Sequence, residues 1–299
     1  MPAALRYLVL FTPKASSSPS SSPSLSSRKL NLSSKPALLQ CPQLQEIPLN
    51  FKEKVLCLEL MGVDAGRALS VNPSLHSASL DSIHSIVSFL QRKGIQQKDM
   101  ARIFGMCPRI LTSDIQNDLN PVFEFLSDDL HVPDKSFRKV INKCPRLLVS
   151  SVRNQLKPAL IYLQRLGINN NEALAYQDPV LLVSSVENTL IPKIRFLTSL
   201  GFCYEDVVGM VVRCPSLLTF SVENNFKPKF EYYLEEMKGS LEELKGFPQY
   251  FAFSLEKRIK PRHRQIQDAG TKLPISVMLK TSDQEFTELV NKAMAVATD

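Results

Sequence analysis

Two prolines set thirteen residues apart recur along this chain and constrain its fold more than any other feature. The clearest copy is CPSLLTFSVENNFKPKFEYYL, Cys214 to Leu234. The same frame is read at CPRLLVSSVRNQLKPALIYL (Cys144 to Leu163) and DPVLLVSSVENTLIPKIRFL (Asp178 to Leu197). Looser copies are CPRILTSDIQNDLNPVFEFL (Cys107 to Leu126) and FPQYFAFSLEKRIKPRHRQI (Phe247 to Ile266), and a degenerate one, NPSLHSASL, starts at Asn72 without a second proline. Opening prolines fall at 73, 108, 145, 179, 215 and 248, in steps of 33 to 37, and second prolines at 121, 158, 192, 228 and 261. A fixed distance inside a drifting period is a rigid unit joined by adjustable turns, the mark of a solenoid.

Within a unit the pattern predicts helix, turn, longer helix. Tyr204 to Arg213 places Val207, Val208, Val211 and Val212 on one apolar face. Pro215 stops that helix, because a residue before proline avoids α geometry and proline has no N–H. Ser216 to Phe220 reads as a short 3₁₀ piece, and Ser221 can cap a second helix running to about Met237. Phe226, Phe230, Tyr233 and Leu234 are expected inward and Gly239 at its end. Whether Pro228 starts that helix or kinks it stays open. Upstream, Asn50 to Gly66 is expected as a first helix and Leu80 to Lys93 as another, ended by Gly94. Downstream, Leu273 to Leu279 is a short apolar segment. Ser282 and Glu285 stand at capping-box spacing before a closing helix whose Phe286, Leu289, Val290 and Ala293 cover the open end of the stack. The expected fold is all-α, a superhelical solenoid of two-helix repeats with a 3₁₀ turn in each, right- or left-handed. Its divisions are 1–45, 50–270 with about six repeats, and 271–299 as closing helix and frayed tail.

Residues 1–45 carry no Asp or Glu, are rich in Ser and Pro between 16 and 34, and include Arg28 and Lys29. That is a transit-peptide composition. The uncharged start and the Ser-Pro content point to a chloroplast, with a mitochondrion as the alternative. No apolar run approaches the roughly 20 residues that span a bilayer, so no membrane partner is expected. Cys107, Cys144 and Cys214 each precede an opening proline, which makes them packing residues of one register; with no C-x2-C pair and no His pair at helical spacing, no metal or other cofactor is expected. No phosphate-binding glycine loop or nucleophile-base pair can be assigned, so the chain is not read as an enzyme.

The net charge of +7 favours a polyanionic partner. Cations gather around the second proline: Lys157; Lys193 and Arg195; Lys227 and Lys229; and Lys257, Arg258, Lys260, Arg262 and Arg264. In a solenoid, matching positions line up, so these would form a stripe binding mostly phosphate. If so, reversing Arg258, Arg262 and Arg264 together should weaken binding and leave the fold intact. Arg109 and Arg146, after opening prolines, are further candidates, whereas Phe196, Phe230 and Tyr233 sit at core spacing. Ordinary solubilising charge is the competing explanation for any single lysine.

The frame P-x-L-L…S-V-x-N-x-L-x-P, best seen at Pro215 to Leu234 and Pro179 to Phe202, resembles the mitochondrial transcription termination factor (mTERF) family. The closing segments Leu255 to Gly270 and Ser282 to Val290 are similar to that family's as well. The resemblance implies a curved superhelix with a basic concave face, acting on organellar DNA or RNA in transcription termination, transcript processing, intron splicing or ribosome assembly. It implies no catalysis; a monomer working beside organellar transcription or RNA-processing proteins is expected. A protein-binding adaptor is the reading from a different class. Tetratricopeptide and pentatricopeptide repeats share the period near 34 and 35 residues but lack the two-proline frame.

Overall fold

The computed structural model describes residues 48–297. The α-helices in chain order are α1 (Leu49–Leu60), α2 (Ala65–Val71), α3 (Leu80–Arg92), α4 (Gln97–Met106), α5 (Asn120–Glu124), α6 (Phe137–Lys143), α7 (Lys157–Arg165) and α8 (Asn171–Gln177). They continue as α9 (Ile191–Ser199), α10 (Tyr204–Arg213), α11 (Lys227–Glu235), α12 (Leu241–Gly246), α13 (Lys260–Asp268), α14 (Ile275–Lys280) and α15 (Asp283–Ala297). The described residues form an all-α repeat solenoid with one continuous apolar core. No described helix is long and apolar enough to cross a membrane. The segment read as a transit peptide lies outside the described residues.

The unit around Pro215 shows how sequence becomes structure. Helix α10 has acidic Glu205 and Asp206 in its first turn and Arg213 in its last, each complementing the helix dipole. It buries Val207, Met210 and Val211, while Val212 remains 41% exposed and so leaves the expected apolar face. Cys214, before proline, takes φ −144° and ψ 75°, outside the helical region. Cys107, Cys144, Asp178 and Phe247, also before opening prolines, share this geometry. A 3₁₀ turn over Pro215–Thr219 then buries Leu217 and Leu218 completely. Burying each leucine contributes roughly 1.5–3 kcal/mol. The three cysteines of the register are buried, in keeping with packing.

Ser221 caps the next element by accepting from the Asn224 amide. That element begins as a π-helical turn over Val222–Phe226 and turns α at Lys227. Pro228 therefore stands at the start of the α segment and does not kink a helix. It sits one residue into the α segment, just after a wide turn in which the Phe226 amide reaches the Ser221 carbonyl five residues back. A proline ring inside a regular α-helix collides with the carbonyl four residues earlier, and a π turn relieves such crowding locally. The π turn recurs before Pro121, Pro158, Pro192 and Pro261, capped by Asp114, Ser151, Ser185 and Ser254.

Second helices end on left-handed residues. Gly94, Gly167, Gly201 and Gly270 take positive φ there. After α11 the left-handed position belongs to Lys238, φ 51°. Gly239 is needed for space instead: a Cβ there would lie 2.0 Å from Cζ of the buried Tyr233 ring. Leu234, expected inward, is 37% exposed. The first expected helix is two. The chain turns at Gly62, φ 77°, and Asp64 caps α2 by accepting from the Arg67 amide. Leu273 to Leu279 contains α14, and the Ser282–Glu285 capping box is present in both directions. Phe286 and Val290 are buried against the last unit.

Side chains also bond one unit to the next. Lys143 donates to the Tyr176 carbonyl at 2.8 Å and Arg213 to the Lys245 carbonyl at 2.5 Å, each from two residues before an opening proline to three before the next. Both carbonyls lie at the C-terminus of a first helix, where acceptors lack partners within the helix.

Candidate nucleic-acid interface

The ten cations read as a binding stripe divide into two sets. The residue after the second proline faces inward. Lys193, half-buried, donates to the Leu218 carbonyl at 2.5 Å; Lys229, buried, donates to the Phe251 carbonyl at 2.6 Å. Arg262, 4% exposed, reaches the Met278 and Thr281 carbonyls at 2.6 and 2.9 Å and the Asp283 carboxylate at 2.5 Å. Its guanidinium lies 4.6 Å from the Phe286 ring centre. Arg258 joins it, donating to the Leu279 and Thr281 carbonyls. Upstream, Lys54 does the same toward the Leu75 and His76 carbonyls. These cations close the 3₁₀ turn of the following unit or, for Arg258 and Arg262, hold the closing helices. The expectation that Arg258 and Arg262 can be reversed without cost to the fold does not fit their placement. Burial lowers the Lys193 ammonium below its usual range and brings Lys229 down to about 8.

The other six face outward. Lys227 pairs with Glu223 at 2.7 Å and Lys260 with Glu256 at 2.5 Å, both four residues apart. Lys157, half-exposed, lies 3.2 Å from Asp129. Arg195, Lys257 and Arg264 are exposed, and among the described residues none of them forms a salt bridge. Arg109 and Arg146 are likewise exposed, and so is Arg153, a residue the second-proline register does not single out. Its signal lay in the same frame: the corresponding position is Glu187, Glu223 and Glu256 in later units. Phe230 and Tyr233 are buried and Phe196 packs against Phe226, so these rings belong to the core.

Arg109, Arg153 and Lys157 come together on one cleft of about 730 Å³ between the Pro108 and Pro145 units, with Ser113, Ser150 and Asn117 also on its wall. The carboxylate on that wall, Asp118, accepts from the Asp114 amide at 2.9 Å. Among the described residues no group of three His, Cys, Asp or Glu side chains gathers that could hold a metal. The arrangement offers cations and hydroxyls to an anion.

Comparison with known proteins agrees with this architecture. A stretch of 94 residues, 31% of this chain, is 38% identical to the chloroplastic transcription termination factor MTERF5 of Arabidopsis thaliana, covering 19% of that protein. An 88-residue stretch, 29% of this chain, is 39% identical to the chloroplastic transcription termination factor MTERF4 of Oryza sativa subsp. japonica, covering 17% of it. The matches thus span less than a fifth of those relatives' own length. The mTERF family model matches residues 24–176 and 174–287. Matched over most of its length, and built of repeated helix–turn–helix units, the chain belongs to the mTERF family.

Proposed function

We propose that this protein is a chloroplast nucleic-acid-binding factor that regulates plastid gene expression, in transcription termination or in the processing and stability of transcripts. It acts by non-covalent binding along a basic, concave face of the solenoid. The observation that carries the reading is the set of exposed cations that form no salt bridge among the described residues: Arg109 and Arg146 in one register, Arg195 and Arg264 in another, and Arg153 and Lys257 beside them. Stacked units bring matching positions along one surface, and cations that recur there suit the evenly spaced phosphates of a nucleic-acid backbone. The names of the relatives support the process and the compartment. The inward set, Lys193, Lys229, Arg258 and Arg262, supports the surface from behind by fixing one unit on the next.

The test is a mobility-shift titration of the full chain with duplex DNA and with single-stranded RNA across a salt series. Binding should weaken as salt rises, with a log–log slope near −0.9 for each phosphate contacted on a duplex and about −0.7 on a single strand. Failure to bind either polymer at low salt would refute the reading and leave the adaptor alternative. Cross-linking and sequencing from purified plastids then identifies the polymer and target.

A further inference from the structure

We propose that the cleft between the Pro108 and Pro145 units is the phosphate anchor of the chain, where Arg109, Arg153 and Lys157 together hold the backbone of a bound nucleic acid. This rests on the nucleic-acid reading above and adds where along the stack the grip is concentrated.

One pair of positions sets the Pro145 unit apart from the other full frames. The eighth and twelfth residues after the opening proline lie four apart where the π turn passes into the second helix. In the last two frames they are Glu223 with Lys227 and Glu256 with Lys260, and the observed contacts of 2.7 and 2.5 Å prove that side chains at this spacing meet. The frames at Pro108 and Pro179 carry Gln116 with Asn120 and Glu187 with Ile191. Only the Pro145 frame puts two cations there, Arg153 and Lys157. Like charges at this spacing repel, and near the start of a helix both also face the positive end of its dipole. A sequence that breaks a local rule which its sister units keep marks a place where something other than folding is served.

Three further observations point at an anion. The doublet lines a cleft, and Arg109 of the preceding unit lines the same cleft. Among the six opening prolines, only Pro108 and Pro145 are followed by a cation. Two carboxylates lie nearby: Asp118 accepts from a backbone amide, and Asp129 pairs with the half-exposed Lys157, a contact of the kind that contributes little and that a stronger anion displaces, while Arg153 forms no salt bridge among the described residues. Solubilising charge needs no such convergence of two units on one space.

The experiment is Arg153→Glu in the full chain. This substitution installs the acid found in the later units and lets it pair with Lys157, so the urea midpoint should stay the same or rise. Binding of a 20-base-pair duplex or a 20-nucleotide RNA at low salt should nevertheless fall by about tenfold or more. The salt slope should drop by about two contacts, since one cation is removed and its neighbour neutralised. Arg195→Glu, an outward change of equal charge in the next unit, is the control and should weaken binding by no more than a few-fold. Arg109→Gln combined with Arg153→Gln repeats the test without a new acid. If the wild-type chain binds but both cleft variants bind as tightly, the anchor lies elsewhere and this inference fails alone. Equal losses from Arg153→Glu and Arg195→Glu would also overturn it, since the grip would then be spread evenly. If the wild-type chain binds neither polymer, the functional reading fails with it.

Discussion

Lys229 and Lys227 flank the same proline and do opposite things. Lys227 lies on the outside against Glu223, while Lys229 is turned between two units with its ammonium on the Phe251 carbonyl. A buried cation is tolerated only when it is hydrogen-bonded, and the 3₁₀ turn of the next unit supplies the acceptor. Because burial lowers the Lys229 pKa to about 8 from an unfolded value of 10.5, the unfolded chain holds this proton over a range in which the folded chain has released it. Stability therefore rises with pH between about 8 and 10.5 through this residue. Urea midpoints of the wild type and of Lys229→Met, taken from pH 7.5 to 10, should diverge in that window, the wild type gaining relative to the variant. Parallel curves would show that the ammonium is not desolvated. Sequence could not separate the two lysines, because both are polar residues beside a proline. Which one faces inward depends on the rotation of the second helix, and the π turn sets that rotation.

At the scale of the element, the serine six residues after the opening proline decides where each second helix starts. Ser151, Ser185, Ser221 and Ser254 each accept from the amide three residues on, at 3.1 to 3.2 Å. Replacing Ser221 with Ala should cost about 1 kcal/mol, measured by urea unfolding, with faster hydrogen exchange at the Asn224 amide. An unchanged exchange rate there would remove the cap from the account. The cap was legible at Ser221, as were the 3₁₀ turn after Pro215 and the limits of α10, since each rests on near neighbours. The π turn was not. Its five-residue bonds leave no mark in an apolar period of 3.6, so Pro228 had two readings, and it takes the first, at the start of the α segment. The break between α1 and α2 was hidden for a related reason: Gly62 and Asp64 interrupt a pattern whose apolar residues run on through the turn.

For the whole molecule, stability is the coupling of each unit to its neighbour, and the ends are where coupling is lost. Arg262 closes one end: its guanidinium joins α13 to the end of α14 and the start of α15, and its face lies on Phe286. Arg262→Gln should cost about 1–3 kcal/mol, from the Met278 and Thr281 carbonyls that lose a charged donor, since Asp283 is exposed and stays solvated. It should also open the Thr281–Asp283 link to proteolysis before the rest of the chain. A melting curve and cleavage pattern like those of the wild type would contradict this role. The same variant should lose nucleic-acid binding only in proportion to unfolding, in contrast to Arg153→Glu.

By itself the sequence determined the repeat, its helix–turn–helix content, the packing role of the cysteines and the closing helix. These follow from proline's missing N–H, from apolar spacing and from short-range caps, all interactions within about a dozen residues. Only the tertiary structure decided which cations are bonds between units and which are surface, and brought Arg109 to the same cleft as Arg153 and Lys157, 44 and 48 residues further along. The physical reason is that a cation's role depends on which carbonyl, carboxylate or open space the next unit presents to it, and stacking supplies that neighbour.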